Sequence, residues 1–284
     1  AALQLPSSGD SGLALPVALI VVAVGLLFAF VWQERRHPEP MVALSLFANR
    51  AIGFGTLGAM VTGVVLFCQT VFVPPFIQGV LGSTPTVAGF VLAATSIGWP
   101  LASTAAGFII LRVGFRPPAV LGGILLIVGF ALMAVQTASS TLIVMAGLQV
   151  VLGAGFGLYL PVILLAVQNA VGWEQRGVVT SANQFARTIG GTVGVAVAGA
   201  IFAAGVDRAS ARGANPNDLL DATARAALDP VILQPLTAIL TDSLHAVYLM
   251  CVVVALFSTF VALVLPGGKP STAVSAPSTS DAVA

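Results

Sequence analysis

The stretch "GFIILRVGFR", residues 107–116, holds the only two charges between Arg50 and Glu174: Arg112 and Arg116. Apolar residues run on both sides of it, so the stretch reads as a turn between two antiparallel helices that cross lipid. At the end of such a helix an arginine reaches the headgroups, which explains the charges. The glycines need a different reason. Gly114 suits a tight turn that requires φ > 0, and Gly107 suits a helix face that another helix approaches closely.

Composition agrees with this reading. The 284 residues are 58 % hydrophobic and 7 % charged, with mean hydropathy +1.04; a soluble globule carries about a quarter charged residues. The long continuous apolar runs predict helices, because in lipid each segment must pair its own backbone polar groups; a barrel would show short alternating strands instead. The net charge of +1 comes from dispersed arginines, with no basic patch for nucleic acid. Cys68 and Cys251 each lie within an apolar run and read as buried, unreactive thiols.

Working outward, seven stretches are long enough to span, at roughly 14–32, 51–77, 85–110, 117–136, 141–170, 179–206 and 243–265. With the N-terminus outside, Arg35, Arg36, Arg50, Arg112, Arg116, Arg176 and Lys269 all fall on the cytoplasmic side. The 207–242 segment, where Asp outnumbers Arg, then lies outside with "QGVLGST" and "TASS". The predicted organisation is an extracytoplasmic segment 1–13, a linker helix with an amphipathic interfacial stretch over 14–50, a six-helix unit 51–265 and a disordered cytoplasmic tail 266–284. A plain linker remains the alternative for Met41 to Phe47. The start "AALQLPSSGDSG" has no basic n-region, so the first span is a poor signal peptide, and the chain can be a fragment. Small residues recur every fourth position at Gly55, Ala59, Gly63 and at Gly190, Gly194, Ala198, as close helix packing requires; a seam that also lets helices slide stays open beside it.

The 107–116 stretch resembles the loop signature of the major facilitator superfamily. Gly107, Arg112, Gly114 and Arg116 match it, while Leu111 replaces an acid and Phe115 a base. Residues 74–89, "PPFIQGVLGSTPTVAG", are similar to the first-to-second-helix connection of its fourteen-span drug/proton antiporters. Residues 149–157, "QVVLGAGFG", look like the fourth-helix signature with Gln149 at the arginine position, and 176–194 resemble the fifth helix of the C-terminal half. The resemblance implies an all-α polytopic membrane protein with seven transmembrane helices: one linker helix, then a six-helix half-bundle of inverted three-helix repeats, the eighth to fourteenth helices of the family. It implies alternating-access efflux of amphiphilic small molecules, cationic ones included, coupled to protons, in the plasma (inner) membrane. The loop of Gly107, Arg112, Gly114 and Arg116 would hold the inward side closed, and a separate N-terminal transporter half would be the partner.

The spans contain no Asp or Glu; Glu174 falls in a loop and Asp242 at the outer rim. A proton carrier within the membrane is usually a buried carboxylate, so the coupling group is expected in that N-terminal half. Candidate cavity residues are Gln149, Phe156, Tyr159, Asn183, Gln184 and Arg187. For Gln149, Tyr159, Gln168 and Asn169 the alternative is interhelical hydrogen bonding. For Trp99 and Phe156 it is packing or lipid contact. Arg187 either snorkels inward, pairs with a carbonyl or Glu174, or faces the cavity. His245 reads as a satisfied interfacial histidine in preference to a proton relay.

Enzyme chemistry has little support. The one lysine, Lys269, is in the tail, so no phosphate-binding loop is available; "GAGFG" (153–157) follows no strand. Two histidines and two cysteines far apart make no metal centre, and no cofactor is expected. Two rivals stay open: a truncated or split half, inactive alone, and a seven-span receptor or scaffold without transport activity.

Overall fold

The structure is a computed structural model that describes Gly25, residues 49–210, Leu219, Arg225, 230–266 and Gly268. Residues 1–47 and 48–284 form separate compact units. The predicted linker span 14–32, the amphipathic stretch after it, most of the 207–229 connection and nearly all of the tail lie outside the described residues.

Every described regular element is helical. Helix α1 is Arg50–Pro75, closed by a π-turn at Phe76–Val80; α2 is Pro85–Ala93, α3 Thr95–Val113, α4 Arg116–Met133, α5 Leu142–Asn169, α6 Arg176–Ser210 and α7 Pro230–Val264. Together α2 and α3 make one span, so 6 stretches among the described residues are long and apolar enough to cross a membrane.

The helix starts follow local chemistry. Asn49 accepts a hydrogen bond from the Ala51 N–H at 2.9 Å, and Thr84 and Thr141 accept from the N–H groups three residues on; these are N-caps for otherwise unpaired first-turn donors. Proline opens α2 and α4, where its missing N–H costs nothing.

Two features depart from the sequence reading. The last helix begins at Pro230 instead of residue 243. Hydropathy alone stops at the polar residues 241–243, but Thr237, Thr241 and Ser243 donate to the carbonyls four residues back, which hides their hydroxyls within the helix. The second span is broken at Ala94.

The packing pairs define the bundle. Helix α1 runs parallel to α6, with Gly55 against Asn183 and Val64 against Gly194. Helix α3 runs parallel to α5, with Thr95 against Gly153 and Trp99 against Gly157. Antiparallel contacts join α4 to α5 (Gly122 to Tyr159, Gly129 to Leu152) and α1 to α7 (Thr62 to Ser258, Phe72 to Tyr248). Gly123 meets Thr259 between α4 and α7, and α1 crosses α5. The closest approach is at Gly190, where a Cβ would overlap the Met60 carbonyl; only glycine lets two backbones meet there. The core lies between these helices, filled by Phe76, Phe130, Phe156, Tyr159 and Tyr248.

Candidate functional site

The α3–α4 turn is built as its sequence suggests at Gly114, which takes φ 87 and ψ −174, a conformation essentially confined to glycine. Its N–H bonds the Ile110 carbonyl at 2.9 Å. Phe115 is 3 % exposed and donates its N–H to the Gly268 carbonyl at 3.3 Å, so the turn abuts the end of α7. Arg112 and Arg116 project outward and are exposed. Gly107 differs from expectation: a Cβ there would meet nothing within 4 Å among the described residues. At the same end of the bundle the Arg176 guanidinium lies 5.3 Å from the Trp173 ring centroid, a cation–π contact.

The candidate cavity residues divide into two groups. Gln149, Phe156, Tyr159 and Asn183 are buried inside the bundle. Gln149 Oε1 accepts from Gln69 Nε2 at 2.5 Å and from Thr95 Oγ1 at 3.2 Å, and Gln69 Nε2 also donates to Thr95 Oγ1 at 2.9 Å. This cluster ties α1 and α5 to the start of α3, just past the break in the second span. Gln69 Oε1 has no partner there.

Phe156 stacks on Trp99 with centroids 5.7 Å apart. Tyr159 donates to the Ser258 carbonyl at 2.7 Å, beside the Thr62–Ser258 hydroxyl pair at 2.8 Å. Asn183 Nδ2 donates to the Gly55 carbonyl at 3.3 Å. Each of these polar groups satisfies another helix, as buried polar atoms in lipid must. Gln168 likewise donates to Thr180 at 2.8 Å.

Gln184 and Arg187 stand apart from them on α6. Gln184 is exposed and Arg187 half-buried, and neither side chain has a hydrogen-bond or ion-pair partner among the described residues. Of the groups that sequence reasoning missed, Gln69 was visible as an amide in an apolar run. Thr62, Thr95 and Ser258 are ordinary hydroxyls whose pairing only the packing reveals.

The opposite end of the bundle holds a cavity of about 700 Å³ lined by Leu81, Thr137, Arg225, Thr241, Asp242 and His245 among others. Arg225 donates to the Gly79 carbonyl, and burial pushes its guanidinium below the ordinary arginine value. His245 Nε2 lies 2.6 Å from the Gln136 carbonyl; the carbonyl accepts, so that nitrogen carries the proton.

Comparison with known proteins places this arrangement. The family model described as Major Facilitator Superfamily matches residues 55–211. Multidrug transporter protein MdtP of Bacillus subtilis is 30 % identical over 186 residues, covering 66 % of this chain and 34 % of that protein. The uncharacterized MFS-type transporter Rv1877 of Mycobacterium tuberculosis is 31 % identical over 89 % of this chain and 38 % of its own length. Multidrug resistance protein 3 of Bacillus subtilis is 25 % identical over 84 % of this chain and 49 % of its own. The chain thus spans between about a third and a half of the length of these relatives.

Proposed function

The chain belongs to the major facilitator superfamily, and from that premise we propose that residues 51–265 are the C-terminal six-helix half of a fourteen-span drug/proton antiporter. The half exports amphiphilic small molecules by alternating access against an N-terminal half that carries the coupling carboxylate. Residues 14–50 add the linker span, with the N-terminus outside and the arginine-rich end of the bundle facing the cytoplasm.

The observation that carries this reading is the pairing of helices. Exchange α1 with α5, the α2–α3 span with α6, and α4 with α7, and the principal packed pairs map onto themselves: α1–α6 becomes α5–α3, α4–α5 becomes α7–α1, and α4–α7 and α1–α5 are unchanged. The pair that departs is α6–α7, which is closer than α3–α4. The related seams α1–α6 and α3–α5 are both parallel, and the related seams α4–α5 and α1–α7 are both antiparallel, as two inverted three-helix units require. A receptor bundle has no need of this symmetry.

Two spans related by that exchange, α2–α3 and α6, are the least buried of the six. Leu101, Phe108 and Leu111 on one, and Phe185, Val193 and Val197 on the other, are exposed; these faces suit a second lobe. In that assembly Gly107 would meet its close neighbour in the second half, and Arg112, Gly114 and Arg116 would brace the closed cytoplasmic side. The relatives named for multidrug transport support a small-molecule substrate.

The test is transport in everted membrane vesicles from cells producing the chain, alone and together with a seven-span first half, using a panel of cationic and anionic amphiphilic dyes. An acidified interior should drive dye accumulation that a protonophore abolishes. Vesicles that show no proton-dependent accumulation of any dye in either arrangement would refute the proposal.

A further inference from the structure

Arg187 is a charge within an apolar span, with no counter-charge or hydrogen-bond partner among the described residues. It lies eight residues into the 179–206 span, about 12 Å along the axis at 1.5 Å per residue, within a hydrocarbon layer about 30 Å thick. Its apolar stem leans toward the cytoplasmic end of the helix and carries the guanidinium only part of that way.

Sliding the helix does not help either. The Arg187 carbonyl abuts Gly63 and the Met60 carbonyl abuts Gly190, so α6 is keyed to α1 at this height. No Asp or Glu occurs in residues 51–173, 175–206 or 243–264, and Glu174 and Asp242 are exposed at opposite ends of the bundle. A guanidinium in an apolar span without a counter-charge in its own half is costly and is a candidate functional position.

The surroundings define the ligand. Gln184, one turn earlier, is exposed and offers an amide N–H₂. Thr188 spends its hydroxyl proton on the Gln184 backbone carbonyl at 3.1 Å. Phe185 and Val193 expose apolar surface on the same helix. The site is therefore rich in donors, with no anionic acceptor among the described residues.

We propose that Arg187 and Gln184 bind the carboxylate of an amphiphilic organic anion, with the forked guanidinium on both oxygens. The substrate class thereby narrows to amphiphilic anions. This rests on the reading of α6 as part of the transport path.

The test is equilibrium binding to the full chain in phosphatidylcholine nanodiscs, with 11-(dansylamino)undecanoic acid as probe and its methyl ester as the uncharged control. The acid should bind saturably and the ester should not compete. Arg187→Gln should weaken acid binding roughly tenfold or more, and Arg187→Lys should lose less, because the point charge remains without the fork. Should Arg187→Gln fail to fold by circular dichroism, Gln184→Leu gives the second reading, with binding weakened severalfold. Equal binding of acid and ester, no saturable binding of the acid, or a folded variant with wild-type affinity would overturn the inference. Binding needs no gradient, so its loss with dye transport intact sinks this site alone, whereas intact binding without transport sinks the transport reading alone.

Discussion

The Gln69–Gln149 pair gives the sharpest test of how the bundle is held together. Replacing Gln149 by leucine removes the acceptor of two hydrogen bonds, at 2.5 Å from Gln69 and 3.2 Å from Thr95. One Gln69 N–H is left unpaired in a site where Gln69 is 2 % exposed. A buried orphan costs about 1–3 kcal/mol, and interhelical hydrogen bonds in membrane proteins reach only about 1.7 kcal/mol, so about 1–2 kcal/mol is expected for Gln149→Leu. Gln69→Leu should cost less, under about 1 kcal/mol, because it also removes the unpartnered Gln69 Oε1 and leaves Gln149 Oε1 the Thr95 hydroxyl. The double variant leaves neither amide stranded and should fall short of the sum by about 1 kcal/mol. Reversible unfolding in mixed micelles, run as a double-mutant cycle, measures all three. Additivity within about 0.3–0.5 kcal/mol, or a larger loss for Gln69→Leu than for Gln149→Leu, would refute the reasoning.

Three further outcomes follow from the packing. Gly190→Ala should lower stability by about 1–3 kcal/mol by forcing α6 off the Met60 carbonyl, while Gly147→Ala, with open space at its Cβ, should be neutral or stabilising in the same unfolding assay. Gly114→Ala should cost about 1–3 kcal/mol, since φ 87 with ψ −174 excludes a side chain, read as a drop in midpoint. Cys68 and Cys251, at 1 % and 0 % exposure, should resist N-ethylmaleimide in the folded protein and react after denaturation in SDS.

What the sequence revealed depended on how local each signal is. The turn at 114 was legible because one residue needs one backbone conformation, and the spans at 51–77, 85–110 and 141–170 were legible because long apolar runs have few other fates in lipid. The start of the last helix was not, since the hydroxyls at 237, 241 and 243 look polar in a hydropathy window yet bond within their own helix. The break at Ala94 carries no proline or glycine to announce it.

The site divides the same way. Gln149 stood out as an amide in an apolar run, but its partner lies 80 residues away, and nothing short of the α1–α5 crossing brings them together. Gln184 is exposed on α6, whereas Arg187 is half-buried on the side that packs against α1, its carbonyl abutting Gly63; both were visible beforehand as polar groups in an apolar run, but the lack of a partner for Arg187 among the described residues required every neighbouring helix to be in place.

Alternating access is tested most directly at Gln184. In the full chain with Cys68 and Cys251 replaced by serine, Gln184→Cys should react with a membrane-impermeant maleimide from the cytoplasmic side under one direction of the proton gradient and from the outer side under the other, with substrate slowing both. Labelling from neither side, as a lipid-facing residue would give, or from one side only whatever the gradient, would contradict the account.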